Sequence, residues 1–375
     1  MSRVLYEHGL VIGKFYPPHL GHEYLIRSAA AHCRWVTVAV LGSVVESIPM
    51  RRRAAWLRET FADAPHVRIV AEPDEAPINY GCPLIWAAHV NAMREAIACA
   101  DRAFGTAPPV DAVFTSESYG EELARHFAAA HVCLDASRHL YPVSGTAVRA
   151  SLPAAWTWLP SAVRAGLALR IAVVGAESTG KTTLSRDLAA AVRARGGIWE
   201  RTDWVAEYGR EYSANLLALA RARQPGARLE DVVWESGDFA HIAAEQCQRE
   251  TAAARCGSPV LVCDTDAMAT CLWHERYMGR ASDRVAEIAA AMPPRAFYLL
   301  ASDEEVPFSD DGLRDGEHVR QWMSARFREQ LATQSVPWIT LRGARQARLE
   351  QAIAVVDRAI ADAWRFAPPL EQRTA

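Results

Sequence analysis

From residue 9 the chain alternates short apolar runs with longer stretches of helical period: LVIG, a helix from about Leu20, WVTVAVLG, a helix after Arg51, VRIVAE, a helix from Pro83, and VDAVFTS. Short apolar runs separated by helices predict βαβ units, with a mostly parallel sheet covered by helices on both faces. The pattern restarts at residue 170, where RIAVV reads as a short buried strand, GAESTGK as a glycine-bounded loop and Thr182 onward as a helix. PVLVCDTD, AFYLLAS and WITLRG continue it as strands, and a closing helix is expected from Ala344 to about Arg365. Between the halves, SLPAAWTWLPSAVRAG (residues 151–166) reads as a short packed helix plus connector, because Trp156 and Trp158 favour burial. The expected architecture is α/β: a Rossmann-like domain over 1–165 and a P-loop domain over 166–375, both with mostly parallel sheets.

Composition adds little to this picture but excludes much. At 375 residues, 50% of them hydrophobic, the chain can fill two cores. The net charge of -3 comes from scattered charges, so no nucleic-acid partner is expected. Eight cysteines include no C-x-x-C pair and lie mostly in apolar segments, which suits reduced thiols in the cytoplasm better than disulfides or zinc. With no signal peptide and no apolar run of 18 residues, neither secretion nor a membrane span is expected. A homo-oligomer is compatible with all of this.

The candidate chemistry is clearest in the second half. GAESTGKT, residues 175–182, matches G-x-x-x-x-G-K-[ST], in which backbone N–H groups curl around a phosphate at a helix N-terminus. Gly175, Glu177, Ser178, Thr179, Gly180, Lys181, Thr182 and Thr183 are therefore candidate ATP-binding residues, with Lys181 as a point charge and Thr182 as a ligand of Mg²⁺. Asp264, ending an apolar strand, is the second candidate Mg²⁺ ligand. Asp266 is a candidate substrate contact or alternative base, with capping of the next helix as its competing role. In VAEYGREY, Glu207 fits a general base and Arg210 a substrate or phosphate clamp; three apart, they could instead pair with each other. Trp204 and Phe239 are candidate walls for a flat ring, though core packing is the commoner use of each, and VPFSDDGLRD, residues 306–315, reads as a lid bringing Arg314 and Arg320 over the phosphates.

In the first half, GKFYPPHLGH, residues 13–22, forms a turn at the carboxyl end of the first strand, where open α/β sheets place ligands. His19 and His22 project from one side of a helix start, where they could hydrogen-bond phosphates. The segment resembles the G-x-F-x-P-x-H-x-G-H signature of the adenylyl- and cytidylyltransferase superfamily, and VSGTAVR, residues 143–149, resembles that superfamily's second motif. The resemblance makes Gly13, Lys14, Phe15 and Gly21 candidate nucleotide contacts, with Ser144, Gly145 and Thr146 capping a phosphate-facing helix and Arg149 as a clamp. Trp86 is a candidate to stack on a nicotinamide ring, though core packing is the commoner use of such a residue. Glu117 and Tyr119 are weaker ligand-edge candidates, and for Arg51, Arg52 and Arg53 the resemblance implies a phosphate or ribose contact, with a solvated charged turn as the alternative.

Together, GKFYPPHLGH, VSGTAVR, GAESTGKT, EYGREY, CDTD and DDGLRD resemble the bifunctional NadR family over nearly the whole chain. That resemblance implies a nicotinamide mononucleotide adenylyltransferase fused to a ribosylnicotinamide kinase, with ATP as substrate in both domains, Mg²⁺, and nicotinamide riboside, the mononucleotide and NAD as further ligands. Some members carry an N-terminal helix-turn-helix that represses transcription; here the first catalytic strand begins by about residue 9, so none is expected ahead of it and direct DNA binding is not expected. The alternative is a nucleotidyltransferase for another phosphorylated metabolite, with the P-loop domain as a nucleotide-responsive regulator.

Overall fold

A computed structural model describes residues 4–79, 81–304, 306–314 and 317–370. The described parts of Met1–Arg164 and Trp364–Ala375 form one compact unit, and those of Ala165–Ala363 form the other.

In the first unit the strands are β1 (Tyr6–Gly13), β2 (Cys33–Gly42), β3 (Val67–Pro73), β4 (Ala112–Thr115) and β5 (Ala130–Cys133). They pair in parallel in the order β3-β2-β1-β4-β5. Successive strand residues face opposite sides, so one sheet supports two cores. Val11, Val36, Val38 and Val40 pack beneath α1 (Leu20–His32) and α2 (Met50–Thr60). Leu10, Ala39, Val70 and Val113 pack beneath α3 (Pro83–Phe104) and α4 (Gly120–Phe127). Strand β5 was not legible in the apolar pattern: it is an edge strand, half exposed, reading AHVC. Three short helices follow, α5 (Gly145–Ala150), α6 (Leu152–Ala155) and α7 (Ser161–Leu167), with Trp156 wholly buried beside them.

In the second unit β6 (Leu169–Val174), β7 (Asp203–Val205), β8 (Val260–Asp264), β9 (Phe297–Ala301) and β10 (Trp338–Leu341) pair in parallel in the order β10-β9-β6-β8-β7. Leucine, alanine and valine of α8 (Lys181–Arg193) share one core with α14 (Arg345–Asp362). The opposite face is covered by α11 (Ala267–Met278) and α13 (Glu317–Ala332). Helices α9 (Tyr208–Arg223), α10 (Ser236–Cys256) and α12 (Asp283–Ala290) complete the unit, and Phe239, Ala243, Cys247, Ala267 and Val285 form a third cluster there.

The chain after α14 departs from the domain expectation. Residues from Trp364 rejoin the first unit, where Ala367 accepts a hydrogen bond from the Tyr16 hydroxyl at 3.0 Å and donates one to Ser47 at 2.6 Å. All eight cysteines are free. Among the described residues no helix is long and apolar enough to cross a membrane.

Candidate functional sites

The strand order of the first sheet reverses between β1 and β4, and a cavity of about 400 Å³ opens there at the carboxyl ends of the strands. It brings together every residue assigned to this half as a site: Gly13, Lys14, Phe15, His19, Gly21, His22, Trp86, Ser144, Gly145, Thr146 and Arg149.

The two histidines are locked by the helix start itself. His19 is the N-cap of α1, and its Nδ1 accepts from the backbone N–H of His22 at 3.4 Å; His22 Nδ1 accepts from the N–H of His19 at 3.2 Å. Both Nδ1 atoms are acceptors, so a neutral ring must carry its proton on Nε2 and present a donor there. The rings stack at 3.6 Å between centroids, inclined by 21°. Burial pushes His19 down to about 3, helped by the Arg138 charge. Burial, the neighbouring His19 and Arg138 hold His22 well below its ordinary value too. The pair is therefore two neutral donors rather than two cations.

Ser144 caps α5, accepting from Ala147 N at 3.1 Å. Arg149 does not hang free: it donates to the Tyr16 carbonyl at 2.7 Å and to Thr146 Oγ1 at 3.3 Å, fastening α5 to the loop after β1. Lys14 lies 3.3 Å from Glu46, whose other oxygen takes Arg53 at 2.7 Å. Arg53 is wholly buried and also donates to the Lys14 carbonyl, so it braces the loop rather than contacting a ligand. Arg52 lies over the Trp56 ring. Glu117 is paired with Arg138 at 2.6 Å; both line the cavity, as does Tyr119. Trp86 serves both of its expected uses, packed in the α3 core and facing the cavity, with its ring stacked on His126. Asp74, Asn79 and His89 also line the cavity and were not singled out; the available signal was the i, i+3 spacing that puts His89 on the Trp86 face of α3.

The second cavity, about 180 Å³, lies at the carboxyl edge of β6 and β8. Glu177, Ser178, Thr179, Gly180, Lys181, Thr182 and Thr183 line it together with Glu207, Arg210, Phe239 and Arg314. Gly175 sits behind the loop at φ 143°, with a Cβ position only 2.8 Å from the Ala301 carbonyl oxygen, so only glycine fits. Lys181 Nζ donates to the Ala176 carbonyl at 2.8 Å across the loop. Arg320 is buried and donates to the Ser178 and Asp303 carbonyls. Arg348 does the same for Thr179 and Ser302. Arg320, expected over the phosphates, instead holds the loop from behind.

Asp264 is buried at the end of β8, and its Oδ1 has no hydrogen-bond partner. Burial first and the Glu207 charge second push it up to about 6, while Lys181 and the Thr182 hydroxyl pull it down. Among the described residues no group of three or more His, Cys, Asp or Glu side chains gathers to cage a metal. An orphaned carboxylate oxygen beside a loop hydroxyl instead suits a hard ion that arrives on phosphates and keeps most of its waters. Glu207 stands at the N-cap of α9 and lines the cavity. Its expected alternative partner, Arg210, pairs with Asp311, which also takes Arg314 at 3.4 Å. The lid segment thus reaches the cavity through Arg314; its last residue, Asp315, lies outside the described residues.

Two assignments need correction. Asp266 faces away from the cavity: it caps α11 through Ala269 N at 3.0 Å, and its other oxygen takes Arg295 at 3.0 Å and the Tyr298 hydroxyl at 2.7 Å. Both of its oxygens are engaged by protein donors, so it serves structure rather than substrate. Trp204 is turned onto α8, donating to Ser185 Oγ at 2.8 Å beneath the Arg186 guanidinium, and is absent from the cavity wall. The aromatic wall is Phe239 with Trp234, Trp273 and Tyr277; Trp234 stands 4.9 Å from Tyr277 and 5.3 Å from Phe239 between centroids. Nothing in their spacing separates these rings from core residues.

Fold and sites together define a two-unit α/β protein, a Rossmann-like unit followed by a P-loop unit, each with a cavity at the carboxyl edge of its sheet. Residues 170–348 match the AAA domain family. The chain is similar to the trifunctional NAD biosynthesis/regulator protein NadR of Escherichia coli, with 27% identity over 323 residues, covering 82% of this chain and 71% of that one. The protein of the same name from Salmonella typhimurium is 26% identical over 321 residues, with the same coverage. A NadR crystal structure in complex with NR aligns over 96% of this chain and 98% of its own, at a TM-score of 0.64 and 19% identity. A second, in complex with NAD and AMP-PNP, aligns over 95% and 97% at a TM-score of 0.62 and 19% identity. At that identity the likeness is one of fold.

Proposed function

We propose that this chain is a bifunctional transferase of NAD biosynthesis, in which the P-loop unit phosphorylates nicotinamide riboside with ATP and the Rossmann-like unit couples the mononucleotide to AMP, giving NAD and pyrophosphate. The observation that carries this reading is the presence of two chemically different phosphate sites in one chain: paired neutral imidazole donors in one, a P-loop with flanking carboxylates in the other.

In the P-loop unit the riboside 5′-hydroxyl attacks the γ-phosphorus, the bond to the ADP oxygen breaks, and Glu207 takes the hydroxyl proton. Backbone N–H groups and Lys181 hold the phosphates, and Arg210 and Arg314 close over them from the lid side. Thr182 and Asp264 would hold Mg²⁺, which neutralises phosphate charge when bound. The nicotinamide ring of the riboside is cationic, and the wall of Trp234, Phe239, Trp273 and Tyr277 supplies the electron-rich faces that recognise such a ring.

In the first unit a mononucleotide phosphate oxygen attacks the α-phosphorus of ATP and pyrophosphate leaves. No protein proton is consumed, so the chain positions and stabilises. His19 and His22 donate from Nε2, Lys14 adds charge, and the α5 start with Ser144, Gly145 and Thr146 faces the phosphates, while Arg149 holds the helix in place.

The test is product analysis of the purified chain with ATP and nicotinamide riboside. Riboside-dependent ADP should appear first, followed by NAD and pyrophosphate in equal amounts. ADP release indifferent to riboside would refute the kinase and favour a nucleotide-responsive regulator; mononucleotide that accumulates without NAD would refute the adenylyltransferase.

A further inference from the structure

A largely buried pair in the wall of the first cavity has no part in the chemistry above. His89 Nδ1 lies 2.6 Å from Asp74 Oδ2, and its Nε2 lies 3.2 Å from the Pro77 carbonyl oxygen. Both partners are acceptors, so the ring satisfies them together only as an imidazolium donating from both nitrogens. The partners belong to the segment between β3 and α3, whose Asp74, Ala76, Ile78 and Asn79 line the cavity; His89 itself stands on α3, one turn beyond Trp86. Further hydrogen bonds tie the first two residues of the segment to the turn after β2. Asp74 N donates to the Gly42 carbonyl at 3.0 Å, and Glu75 accepts from Ser43 Oγ at 2.5 Å and Val44 N at 2.8 Å. At its far end Asn79 accepts from Gly81 N at 3.0 Å and from Cys82 N, the N-cap of α3, at 3.1 Å, so His89 ties the middle of the segment, at Pro77, to the body of α3.

We propose that His89 is a positioning residue, a doubly donating imidazolium that staples the 74–79 segment to α3 and so holds the cavity wall beside Trp86 in shape for the mononucleotide. The charged groups that bear on the ring are Asp74, which favours the cation, and Lys14 across the cavity, which opposes it; the hydrogen bond to Asp74 is the largest influence and the net effect is a raised pKa. When the ring loses its proton only one of the two acceptors can be served. The Asp74 bond survives, because it is charge-assisted, and the Pro77 bond is lost. The wall then loosens next to Trp86, and mononucleotide binding weakens while the His19 and His22 chemistry is untouched.

The role rests on the adenylyltransferase reading, but its test has a readout that does not. In the full chain, titrate the His89 ring by nitrogen NMR from pH 5.5 to 9 and follow amide exchange at Ala76, Ile78 and Asn79 over the same range. In parallel, measure KM and kcat for the mononucleotide. The staple predicts that exchange protection falls in step with the His89 titration, above 6.5, and that KM rises about fivefold through the same window with little change in kcat; fivefold corresponds to about 1 kcal/mol. His89→Gln, whose single amide nitrogen can stand in for only one of the two ring nitrogens and does not titrate, should show the weaker protection and raised KM at every pH. Protection that ignores the His89 titration, or a His89→Gln chain that keeps the wild-type KM profile, would overturn the role. A chain that never uses the mononucleotide would instead overturn the functional reading, leaving the exchange result to judge the staple alone.

Discussion

Replacing Arg295 by Met should be among the most damaging single changes in the P-loop unit, although Arg295 touches neither cavity. Its Nε donates to Asp266 at 3.0 Å, and its two terminal nitrogens reach Glu250 at 2.5 and 3.2 Å, with all three side chains essentially without solvent contact. A surface pair would contribute about 1 kcal/mol or less, whereas removing one partner of a buried pair costs about 3–5 kcal/mol because the other charge is left uncompensated. Here two carboxylates lose their main partner; Asp266 keeps Tyr298, and Glu250 keeps a long contact from Gln246 at 3.5 Å and the charge of Arg170. The loss belongs at the upper end of that range, about three to nearly four decades in a local opening constant. It also carries a pH signature. Burial already holds Glu250 above its ordinary value, and without Arg295 it rises further. A carboxyl whose folded-state pKa is raised stabilises the folded form as pH falls toward its unfolded value near 4.5. The deficit relative to wild type should therefore shrink between pH 8 and 5. Because a two-unit chain need not unfold in one step, the assay is hydrogen exchange at α10 and α11 amides in the full chain, with α3 as internal reference. A protection loss of under about 1 kcal/mol, the surface-pair scale, or a deficit that grows toward low pH, would refute the reasoning.

Three further outcomes follow from the same geometry. Gly175→Ala forces an L side chain to φ 143° against the Ala301 carbonyl; strain of about 1–3 kcal/mol should cut riboside phosphorylation at least tenfold while adenylyl transfer is kept, and equal losses in both would contradict it. His19 is held down at about 3 against an ordinary 6.5, so the first unit should lose stability as pH falls from 6.5 toward 3, where only the unfolded chain takes the proton. His19→Gln should flatten that slope in pH-dependent exchange of α1; an unchanged slope would count against a neutral buried His19. Asp264, buried with one oxygen lacking a hydrogen-bond partner, is the carboxylate expected to take Mg²⁺, so Asp264→Asn should reduce kcat for riboside phosphorylation at least a hundredfold while adenylyl transfer is kept; a variant that phosphorylates the riboside at the wild-type rate would assign the ion to another group.

Legibility in the sequence followed the strength of local signals. A strand buried on both faces, such as WVTVAVLG, needs an unbroken apolar run, and a loop such as GAESTGK needs glycine where its backbone turns to positive φ, so both leave a mark within a few residues. Strand β5 did not, since an edge strand reading AHVC needs no apolar alternation. The motif residues of the first cavity converge because two fixed turns carry them to one sheet edge. The helix cap made by Asp266 was the competing one of its sequence readings; its other partners, Arg295 and Tyr298, lie 29 and 32 residues away and carry no local mark. The His89–Asp74 pair and the Trp234 wall share that obstacle: each exists only once distant elements pack.

The most direct test is the His22→Ala chain incubated with nicotinamide riboside and ATP. His22 lies in the first cavity, and the P-loop with its carboxylates lines the second. The account predicts that ADP and mononucleotide accumulate at the wild-type rate while NAD formation drops by orders of magnitude. NAD formation near the wild-type rate would contradict it.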